Sequence, residues 1–268
     1  MFDGSNDAMG EVKKMNDIAG IIGGISVKIF ALADLFIPRL CVGCGRINPK
    51  GRYTLLCNEC ARNIILPVGG KCKLCGEILG ANNMPNVNGC VHCMDMKIAY
   101  KEVLCATTFD GAVKDIVHAL KYSKLRLAAD DMAKIALANP KTREFLMGAV
   151  LVPVPLYALR KMKRGFNQSE LIARRICDLA PELGLRVENL LARRKSTSTQ
   201  TKLTRAERAE NVKNSFGLSK SGLAEDRNKK IVILDDVITT AATINECAKT
   251  LAKAGYKNLY AFAVAKRR

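Results

Sequence analysis

The chain has 268 residues, enough for one sizeable domain and a smaller one. Lysine and arginine outnumber aspartate and glutamate 43 to 25, and the formal net charge of +18 favours polyanionic partners such as nucleic acid, nucleotides or an anionic membrane surface. An ordinary solvated basic surface is the alternative. The absence of tryptophan and the aromatic content of 5% argue against a single-strand binder built on stacking platforms.

Residues 1–37 are predicted to contain an N-terminal amphipathic helix, because apolar residues recur there at helical spacing. The recurring positions are Ile18, Ile21, Ile22, Ile25, Ile29, Leu32 and Phe36. Early acidic residues and Lys28 argue against a signal peptide, and the apolar run is too broken for a transmembrane segment. We expect the helix to dock on the rest of the protein, with a membrane-surface helix as the alternative. The expected location is the cytoplasm, or the inner face of the membrane if the helix binds there.

Eight of the 11 cysteines form four CxxC pairs. They are Cys41/Cys44, Cys57/Cys60, Cys72/Cys75 and Cys90/Cys93. Each pair can bring two thiolates to one metal, and the intervals between successive pairs suit zinc ribbons. We therefore expect two structural zinc sites of four cysteines each, with a redox or iron–sulfur role as the alternative. His92 is treated as a bystander, and the remaining three cysteines as small core residues.

From residue 99 onward, apolar stretches alternate with helical patterns, which predicts βα units and a mainly parallel sheet. The predicted strands are "VLCATTF", "AVLVPVP", "IVILDD" and "NLYAFAVAK". The predicted helices are "AVKDIVHALKY", "LRLAADDMAKIALA", "NQSELIARRICDLAPELG" and "TINECAKTLAKAG". Asn167 is a candidate N-cap of the third helix.

Two adjacent acids, Asp235 and Asp236, follow the most apolar strand. Ligands of open α/β sheets bind beyond the carboxyl ends of strands, where such acids can accept hydrogen bonds from a vicinal diol or bind a hydrated cation. Residues 239–243 then open a helix, whose N–H groups and threonine hydroxyls would cradle an anion. Together these features suit a ribose 5-phosphate group. A strand-to-helix turn with capping threonines is the alternative.

The segment "LDDVITTAAT" resembles the phosphoribosyl pyrophosphate motif of type I phosphoribosyltransferases, in which two acids are followed, two residues later, by Thr-Thr-Gly-x-Thr. The four CxxC pairs, "VHALKY", "VPVPLYALRKMKRGFNQ", "TSTQTKLTRAERAENVKNSF" and "ILDDVITTAAT" occur in the order seen in the ComF (ComFC-like) family. The resemblance runs from about residue 36 to the C-terminus. It implies an α/β fold with a type I phosphoribosyltransferase-like parallel sheet flanked by helices over residues 99–268, preceded by a double zinc ribbon over residues 38–98.

The resemblance also implies roles for individual residues. Asp235 and Asp236, the catalytic candidates, would face the ribose hydroxyls. The residues implied to hold the 5′-phosphate are Thr239, Thr240, Ala241, Ala242 and Thr243. The segment after the second strand would form the pyrophosphate side, where the candidates are Pro153, Arg160, Arg164, Asn167 and Gln168. Mg²⁺ would accompany phosphoribosyl pyrophosphate. Ala241 stands where the family motif has glycine, so a loop that needs positive φ there would bind phosphate less well.

Two basic segments, 160–175 and 193–213, could contact a pyrophosphate or a nucleic-acid backbone. "KSTSTQT" in the second has no core-facing period and predicts a mobile loop of the kind that closes over the reacting centre in phosphoribosyltransferases. The candidates for this loop or for nucleic acid are Arg193, Arg194, Lys195, Gln200, Arg205, Arg208 and Asn211. An ordinary solvated loop and helix face is the alternative. His118 is a candidate general base or a packed helix residue.

Three functions remain open. The first is a phosphoribosyltransferase-like protein of natural competence that binds phosphoribosyl pyrophosphate or a related nucleotide together with single-stranded DNA. The second is an active phosphoribosyltransferase (pentosyltransferase) with an unknown acceptor. The third is a zinc-ribbon adaptor for a DNA-uptake helicase or channel protein, with a non-catalytic ribose-phosphate site.

Overall fold

The computed structural model describes residues 39–48, 51–66, 70–79, 89–93, 96–195, 205–220 and 226–267. The helix predicted within residues 1–37, and Gln200 with the loop around it, lie outside the described residues. Within the described part of the chain, no helix is long and apolar enough to cross a membrane.

A five-stranded parallel sheet forms the centre of the fold, as the alternating pattern predicts. Its strand order is β1-β7-β6-β2-β3, and every pairing in it is parallel. The strands are β1 Val103–Thr108, β2 Val150–Pro153, β3 Arg186–Val187, β6 Ile231–Ile238 and β7 Leu259–Lys266. A separate antiparallel pair consists of β4 Leu191–Arg193 and β5 Phe216–Leu218.

Helices cover both faces of the sheet. They are α1 Asn58–Arg62, α2 Gly111–Lys121, α3 Ala128–Ala138, α4 Pro140–Leu146, α5 Ala158–Arg164, α6 Gln168–Leu179, α7 Arg205–Val212 and α8 Ala242–Lys253. One core packs α2, α3 and α6 against the β6 side chains Val232 and Leu234. The other packs α8 against Ile231 and Ile233. The alternation follows from the period of two along a strand that is buried on both faces.

The two cysteine-rich segments pack against different cores. Cys41 and its neighbours join the core under α2 and α3, whereas Cys72, Cys75, Cys90 and Cys93 join the core under α8. The buried carboxylate of Asp131 on α3 holds the first segment by accepting hydrogen bonds from the Thr54 and Leu55 N–H groups, each at 2.7 Å. Each segment is therefore fixed to the sheet domain through its own contacts.

β6 is longer than the apolar run that predicted it. Its pairing with β7 continues through Asp235 and Val237 to Ile238, whereas its pairing with β2 ends where Pro153 lies opposite Leu234. The last hydrogen bond between β2 and β6 runs from the Val154 N–H to the Leu234 carbonyl at 2.9 Å, and residues 154–157 then leave the sheet. The last four residues of β6 therefore have a strand neighbour on one side only, and a cleft lies beside them.

Candidate functional site

The cleft lies at the carboxyl-end edge of the sheet, which is where ligands of open α/β sheets bind. It has a volume of about 600 Å³ and is lined by residues that follow β1, β2, β6 and β7, together with α2 and α5. Representative lining residues are Phe109, Val154, Asp236 and Arg267, one from the end of each of the four strands. We call this space the carboxyl-end cleft.

Asp235 and Asp236 both line the cleft and point in different directions, as adjacent residues of a strand must. Oδ1 of Asp235 accepts hydrogen bonds from the Ser169 hydroxyl and from the Asp236 N–H, each at 2.9 Å. Oδ2 of Asp236 lies 2.5 Å from the ammonium nitrogen of Lys121 on α2. Asp236 is only 2% exposed, and the attraction of the ammonium offsets part of the free-energy cost of burying its charge.

The two carboxylates differ in their surroundings. Burial and, after it, the neighbouring charge of Asp236 raise the pKa of Asp235 to about 7. The ammonium of Lys121 and the hydroxyl of Ser169 oppose this rise in pKa without cancelling it. A carboxyl group that changes protonation near neutral pH can donate or accept a hydrogen bond, and this property is typical of functional sites.

Residues 239–243, which we call the threonine loop, connect β6 to α8. Thr239, Ala241 and Thr243 line the cleft. Ala241 adopts φ +61° and ψ 1°, the left-handed conformation, immediately before the first helical residue. It is 4% exposed. The sequence raised the question of whether this position needs positive φ, and the structure shows that it does, so an L-residue carries strain here that glycine would avoid.

The threonine loop runs directly into the first turn of α8. The first four N–H groups of a helix have no intrahelical partner, and the positive end of the helix dipole lies there. Ala242, Thr243 and Ile244 all line the cleft. This arrangement fits an anion such as a phosphate group.

Cationic side chains also line the cleft. Arg160, Lys163 and Arg164 come from α5, and Arg193 comes from β4. Burial, followed by the nearby charge of Arg160, lowers the pKa of Arg193. Two guanidinium groups that repel each other across a cleft would be relieved by an anion between them.

An aromatic group forms a third part of the cleft wall. Phe109 follows β1, His118 lies on the last turn of α2, and Tyr122 follows the end of that helix. The His118 and Tyr122 rings meet edge to face at 5.4 Å, and the Arg267 guanidinium lies 5.8 Å from the centre of the Phe109 ring. Tyr122 is 69% exposed. A planar ligand has ring faces available here.

Some predicted site residues do not line the cleft. Asn167 instead caps α6 by accepting a hydrogen bond from the Ser169 N–H at 3.2 Å, as the sequence predicted, and it donates to the Val154 carbonyl at 3.1 Å. Pro153 ends β2, and Thr240 is the buried member of the threonine loop that does not line the cleft. Arg194 lies against β5, where its guanidinium occupies the space that a side chain at Gly217 would need.

The remaining predicted residues of the second basic segment are only partly described. Lys195 is exposed at the end of a described stretch, and Asn211 is half-buried in α7. Arg205 and Arg208 fall within α7, but their side chains lie outside what the structure describes. The role of this segment as a closing loop or nucleic-acid contact stays a prediction.

Sequence reasoning did not find several residues that the fold brings to the cleft. Ser169 is buried behind the lining and donates to Asp235; it had no sequence signal, because one buried serine at a helix start is ordinary. Phe109, Lys124 and Arg267 also line the cleft. The sequence did indicate His118, as a candidate general base, and Lys121, which lies near the end of its helix; both line the cleft.

The eight paired cysteines form the two groups that their spacing predicted. Cys41, Cys44, Cys57 and Cys60 make one group, and Cys72, Cys75, Cys90 and Cys93 the other, with all sulfurs of a group within 4.8 Å of one another. The Sγ distances of 3.8 Å for Cys44–Cys57 and 3.6 Å for Cys75–Cys90 match the edge of about 3.8 Å expected for four sulfurs around one Zn²⁺. The donor set therefore fits two structural zinc ions.

The single cysteines were expected to be small core residues. Cys105 and Cys247 are buried, which agrees with that expectation, whereas Cys177 is half-buried.

A model of the phosphoribosyl transferase domain matches residues 169–268. Competence protein F of Haemophilus influenzae is 24% identical over 227 residues, covering 80% of this chain and 98% of the relative. DNA utilization protein YhgH of Salmonella typhi is 29% identical over 226 residues, covering 82% and 94%. Competence protein ComFC of Streptococcus pneumoniae is 29% identical over 203 residues, covering 72% and 84%.

The parallel sheet, the acidic pair followed by a threonine loop, and the family match define a phosphoribosyltransferase-like domain. The two groups of four cysteines precede it in the chain. Over most of its length the chain is similar to relatives that are named competence protein F, competence protein ComFC and DNA utilization protein YhgH, as expected of a chain that resembles the ComF family.

Proposed function

We propose that the carboxyl-end cleft binds phosphoribosyl pyrophosphate, or a related nucleotide, during the handling of incoming single-stranded DNA. The observation that carries the proposal is the presence of opposite chemistries in the lining of one cleft. Asp235 and Asp236 line it together with the start of α8 and the cations of α5. A sugar phosphate offers hydroxyls to the first and anionic oxygens to the second.

In this proposal Asp235 and Asp236 accept hydrogen bonds from the ribose hydroxyls. The threonine loop and the first turn of α8 hold the 5′-phosphate, while Arg160, Arg164 and Arg193 contact the diphosphate. Gln168 is held beside the diphosphate by the Arg164 guanidinium, whose Nη1 donates to its Oε1 at 2.5 Å. Mg²⁺ would neutralise charge on the diphosphate when bound, and the carboxylates beside it suit a hydrated divalent ion.

Calorimetric titration with phosphoribosyl pyrophosphate and Mg²⁺ tests the site. The wild type should bind, and the double change Asp235→Asn/Asp236→Asn should weaken binding by at least about tenfold, because hydrogen bonds to charged groups contribute roughly 1.5–3 kcal/mol each. The matched control is Asp178→Asn, an exposed carboxylate that lies in a surface ion pair on α6. Absence of heat with the wild type, or equal affinity in the double variant, would reject the proposal.

Single-stranded DNA is the second ligand in the proposal. The chain carries a net charge of +18, and its relatives are named for competence and DNA utilization. The aromatic wall of Phe109, His118 and Tyr122 stands beside the basic residues of the cleft and gives bases a surface to stack on. Binding measured by fluorescence anisotropy should weaken steeply as salt rises. An affinity that does not depend on salt would exclude backbone contacts as its source.

Whether the protein also transfers the phosphoribosyl group is a separate question. Pyrophosphate release with a panel of bases and amines separates an enzyme from a binding protein. We favour the binding role because the cleft residues in this proposal are assigned to the ribose and its phosphates, and none is assigned to an acceptor base or amine. A rate well above spontaneous hydrolysis of phosphoribosyl pyrophosphate would reverse this assignment.

The division of the chain into a helix within 1–37, a double zinc ribbon over 38–98 and a catalytic-type domain over 99–268 belongs to the same proposal. Reduced thiols are needed for eight cysteine ligands, which supports a cytoplasmic location. A zinc content near two per chain in protein purified without chelator is the expected measurement. A value near zero would reject the ribbons.

A further inference from the structure

Lys266, the last residue of β7, connects the threonine loop to the second cysteine segment. Its ammonium nitrogen donates hydrogen bonds to the Thr239 carbonyl at 3.0 Å and to the Arg267 carbonyl at 2.6 Å. It also lies 2.9 Å from Oε2 of Glu77. Lys266 is 3% exposed, so these contacts are made by a buried charge. One side chain therefore joins residues that are far apart in the sequence.

The position of Glu77 is set by the tight turn of residues 72–76, which we call the cysteine knuckle. The Cys72 N–H donates to the Glu77 carbonyl at 2.9 Å, and the Gly76 N–H donates to the Cys72 carbonyl at 2.8 Å. Gly76 has φ +72°, and a Cβ atom there would lie 2.8 Å from Sγ of Cys105 on β1. The knuckle is thus pressed against the sheet, and Glu77 leaves it in a fixed direction.

The contacts on Lys266 have a consequence for the threonine loop. A buried ammonium that loses a partner is strongly destabilising, so Glu77 keeps Lys266 in place. Lys266 in turn fixes the Thr239 carbonyl, and because the peptide group is planar this fixes the orientation of the following N–H group. Ala241 lies two residues further on in a strained conformation that persists only if its surroundings determine it.

We propose that Lys266 is a positioning residue, which together with Glu77 holds the threonine loop in the shape that binds phosphate and so couples the second cysteine cluster to anion affinity. The inference rests on the proposed function of the loop as a phosphate site. It adds that the cysteine segment tunes this site through one buried ion pair. When Cys72, Cys75, Cys90 and Cys93 hold a metal ion, the knuckle that carries Glu77 is rigid.

A through-space effect of the Lys266 charge is the competing explanation, and the two explanations predict opposite signs for Glu77→Ala. Removing the negative charge of Glu77 makes the surroundings of the loop more positive, so a purely Coulombic effect would tighten the binding of an anion. If Lys266 acts by position, the same change releases it and weakens binding. The side chain of Glu77 is 19% exposed, and its removal leaves Lys266 two carbonyl partners.

The first measurement is hydrogen exchange of the backbone amides of residues 239–244 in the full, zinc-loaded chain without ligand. Glu77→Ala and Lys266→Met should each speed exchange in this peptide, and Cys90→Ser should do the same by opening the knuckle. The matched control is Lys71→Met. Lys71 comes from the same cysteine segment and donates to a β1 carbonyl, that of Cys105, at 3.0 Å, but it does not contact the loop. Unchanged exchange in Glu77→Ala would overturn the proposal.

The second measurement is the affinity for ribose 5-phosphate and for inorganic pyrophosphate. Glu77→Ala should weaken ribose 5-phosphate binding by about tenfold, a typical coupling between sites, while Lys71→Met stays within about twofold of the wild type. Adding Ala241→Gly to Glu77→Ala should restore part of the affinity, because glycine adopts the loop conformation without strain. Tighter binding by Glu77→Ala would establish the Coulombic explanation instead.

The two arms keep the inference separate from the proposed function. If the wild type binds neither probe, the proposed phosphate site fails, while the exchange measurement still decides whether Lys266 and Glu77 order the loop. If the wild type binds and Glu77→Ala exchanges and binds like the wild type, the site stands and the positioning role is rejected.

Discussion

The ammonium nitrogen of Lys121, at the end of α2, lies 2.5 Å from Oδ2 of Asp236, and both residues line the carboxyl-end cleft. The side chain of Asp236 is 3% exposed and that of Lys121 is 22% exposed, so the pair is enclosed at one end and open to the cleft at the other. The contact ties the helix that carries the aromatic wall to the strand that carries the acids. It also leaves the Lys121 charge within reach of a bound anion.

Replacing Lys121 by methionine should destabilise the fold, because it leaves the Asp236 carboxylate buried without its cation. Breaking an enclosed pair costs about 3–5 kcal/mol, and we expect roughly 2 kcal/mol here because Lys121 is partly exposed. Urea unfolding measures the loss. The control, Lys213→Met, breaks an exposed pair with Glu210 and should change the free energy of unfolding by less than about 1 kcal/mol. Recovery of stability in the double variant Lys121→Met/Asp236→Asn would identify the buried charge as the cause. Equal losses of stability in Lys121→Met and Lys213→Met would contradict it.

Ala241→Gly should stabilise the protein and tighten phosphate binding. A left-handed L-residue costs about 1–2 kcal/mol. Glycine removes that cost but loses roughly 0.5–1 kcal/mol of backbone entropy on folding, so a net gain of about 0.5 kcal/mol is expected. The control is Ala252→Gly, at an exposed position of α8, which should cost about 1 kcal/mol. Thermal unfolding compares the two, and a loss of stability in both would show that Ala241 is not strained.

The stability of the fold should fall as pH rises from about 4 to about 7 through the contribution of Asp235. Burial, and then the charge of Asp236, raise its pKa from the ordinary value of 3.8 to about 7. Between these values the folded state binds more protons than the unfolded state, so the contribution is full below the lower value and lost as pH passes the upper one. Asp235→Asn should flatten this part of the pH profile of unfolding. A profile identical to that of the wild type would mean that Asp235 ionises normally.

Phosphoribosyl pyrophosphate binding should release a proton near pH 6–7. The pKa of Asp235 is raised to about 7 in the free protein, so part of the population is protonated there, and the ionised form accepts hydrogen bonds from the ribose hydroxyls better than the protonated form does. Calorimetry in buffers of different ionisation enthalpy measures the number of protons released, and Asp235→Asn should abolish the release. Binding heats that are independent of the buffer at pH 6.5 would count against this role.

Tyr122→Leu should weaken binding of single-stranded DNA, because the exposed ring would no longer stack on a base. Stacking of a base on an aromatic side chain contributes about 1–3 kcal/mol, or roughly 5- to 150-fold in affinity. The matched control is Tyr260→Leu, whose ring packs on Phe145 near the start of β7, away from the cleft. Fluorescence anisotropy with a single-stranded oligonucleotide provides the measurement. Equal losses in the two variants would indicate a structural effect.

Much of the fold was predictable because its signals are local. The apolar stretches of β1, β2, β6 and β7 and the helical faces of α2 and α8 occur where the sequence predicted them, and the cysteine spacing gave the correct two groups. The segment of α5 was predicted only as a basic stretch. Its apolar residues Leu159 and Met162 are exposed, so it has no core-facing period to reveal a helix.

The site was predictable only in part. Asp235, Asp236 and the threonine loop are neighbours in the sequence, and a known motif connects them. Arg267 lines the same cleft, and Ser169 contacts Asp235, only because the fold places β7 beside β6 and the start of α6 against it. Strand order is set by long-range packing, and neither composition nor periodicity encodes it at these positions.

The early end of β2 at Pro153 has a further consequence. Beyond that point the acidic stretch of β6 has rigid support from β7 but no strand on its other flank, so this margin can yield to ligands of different bulk without disturbing the rest of the sheet. Ligands of different size would then be accommodated by changes in the segments that border the gap, with the paired strands left as they are.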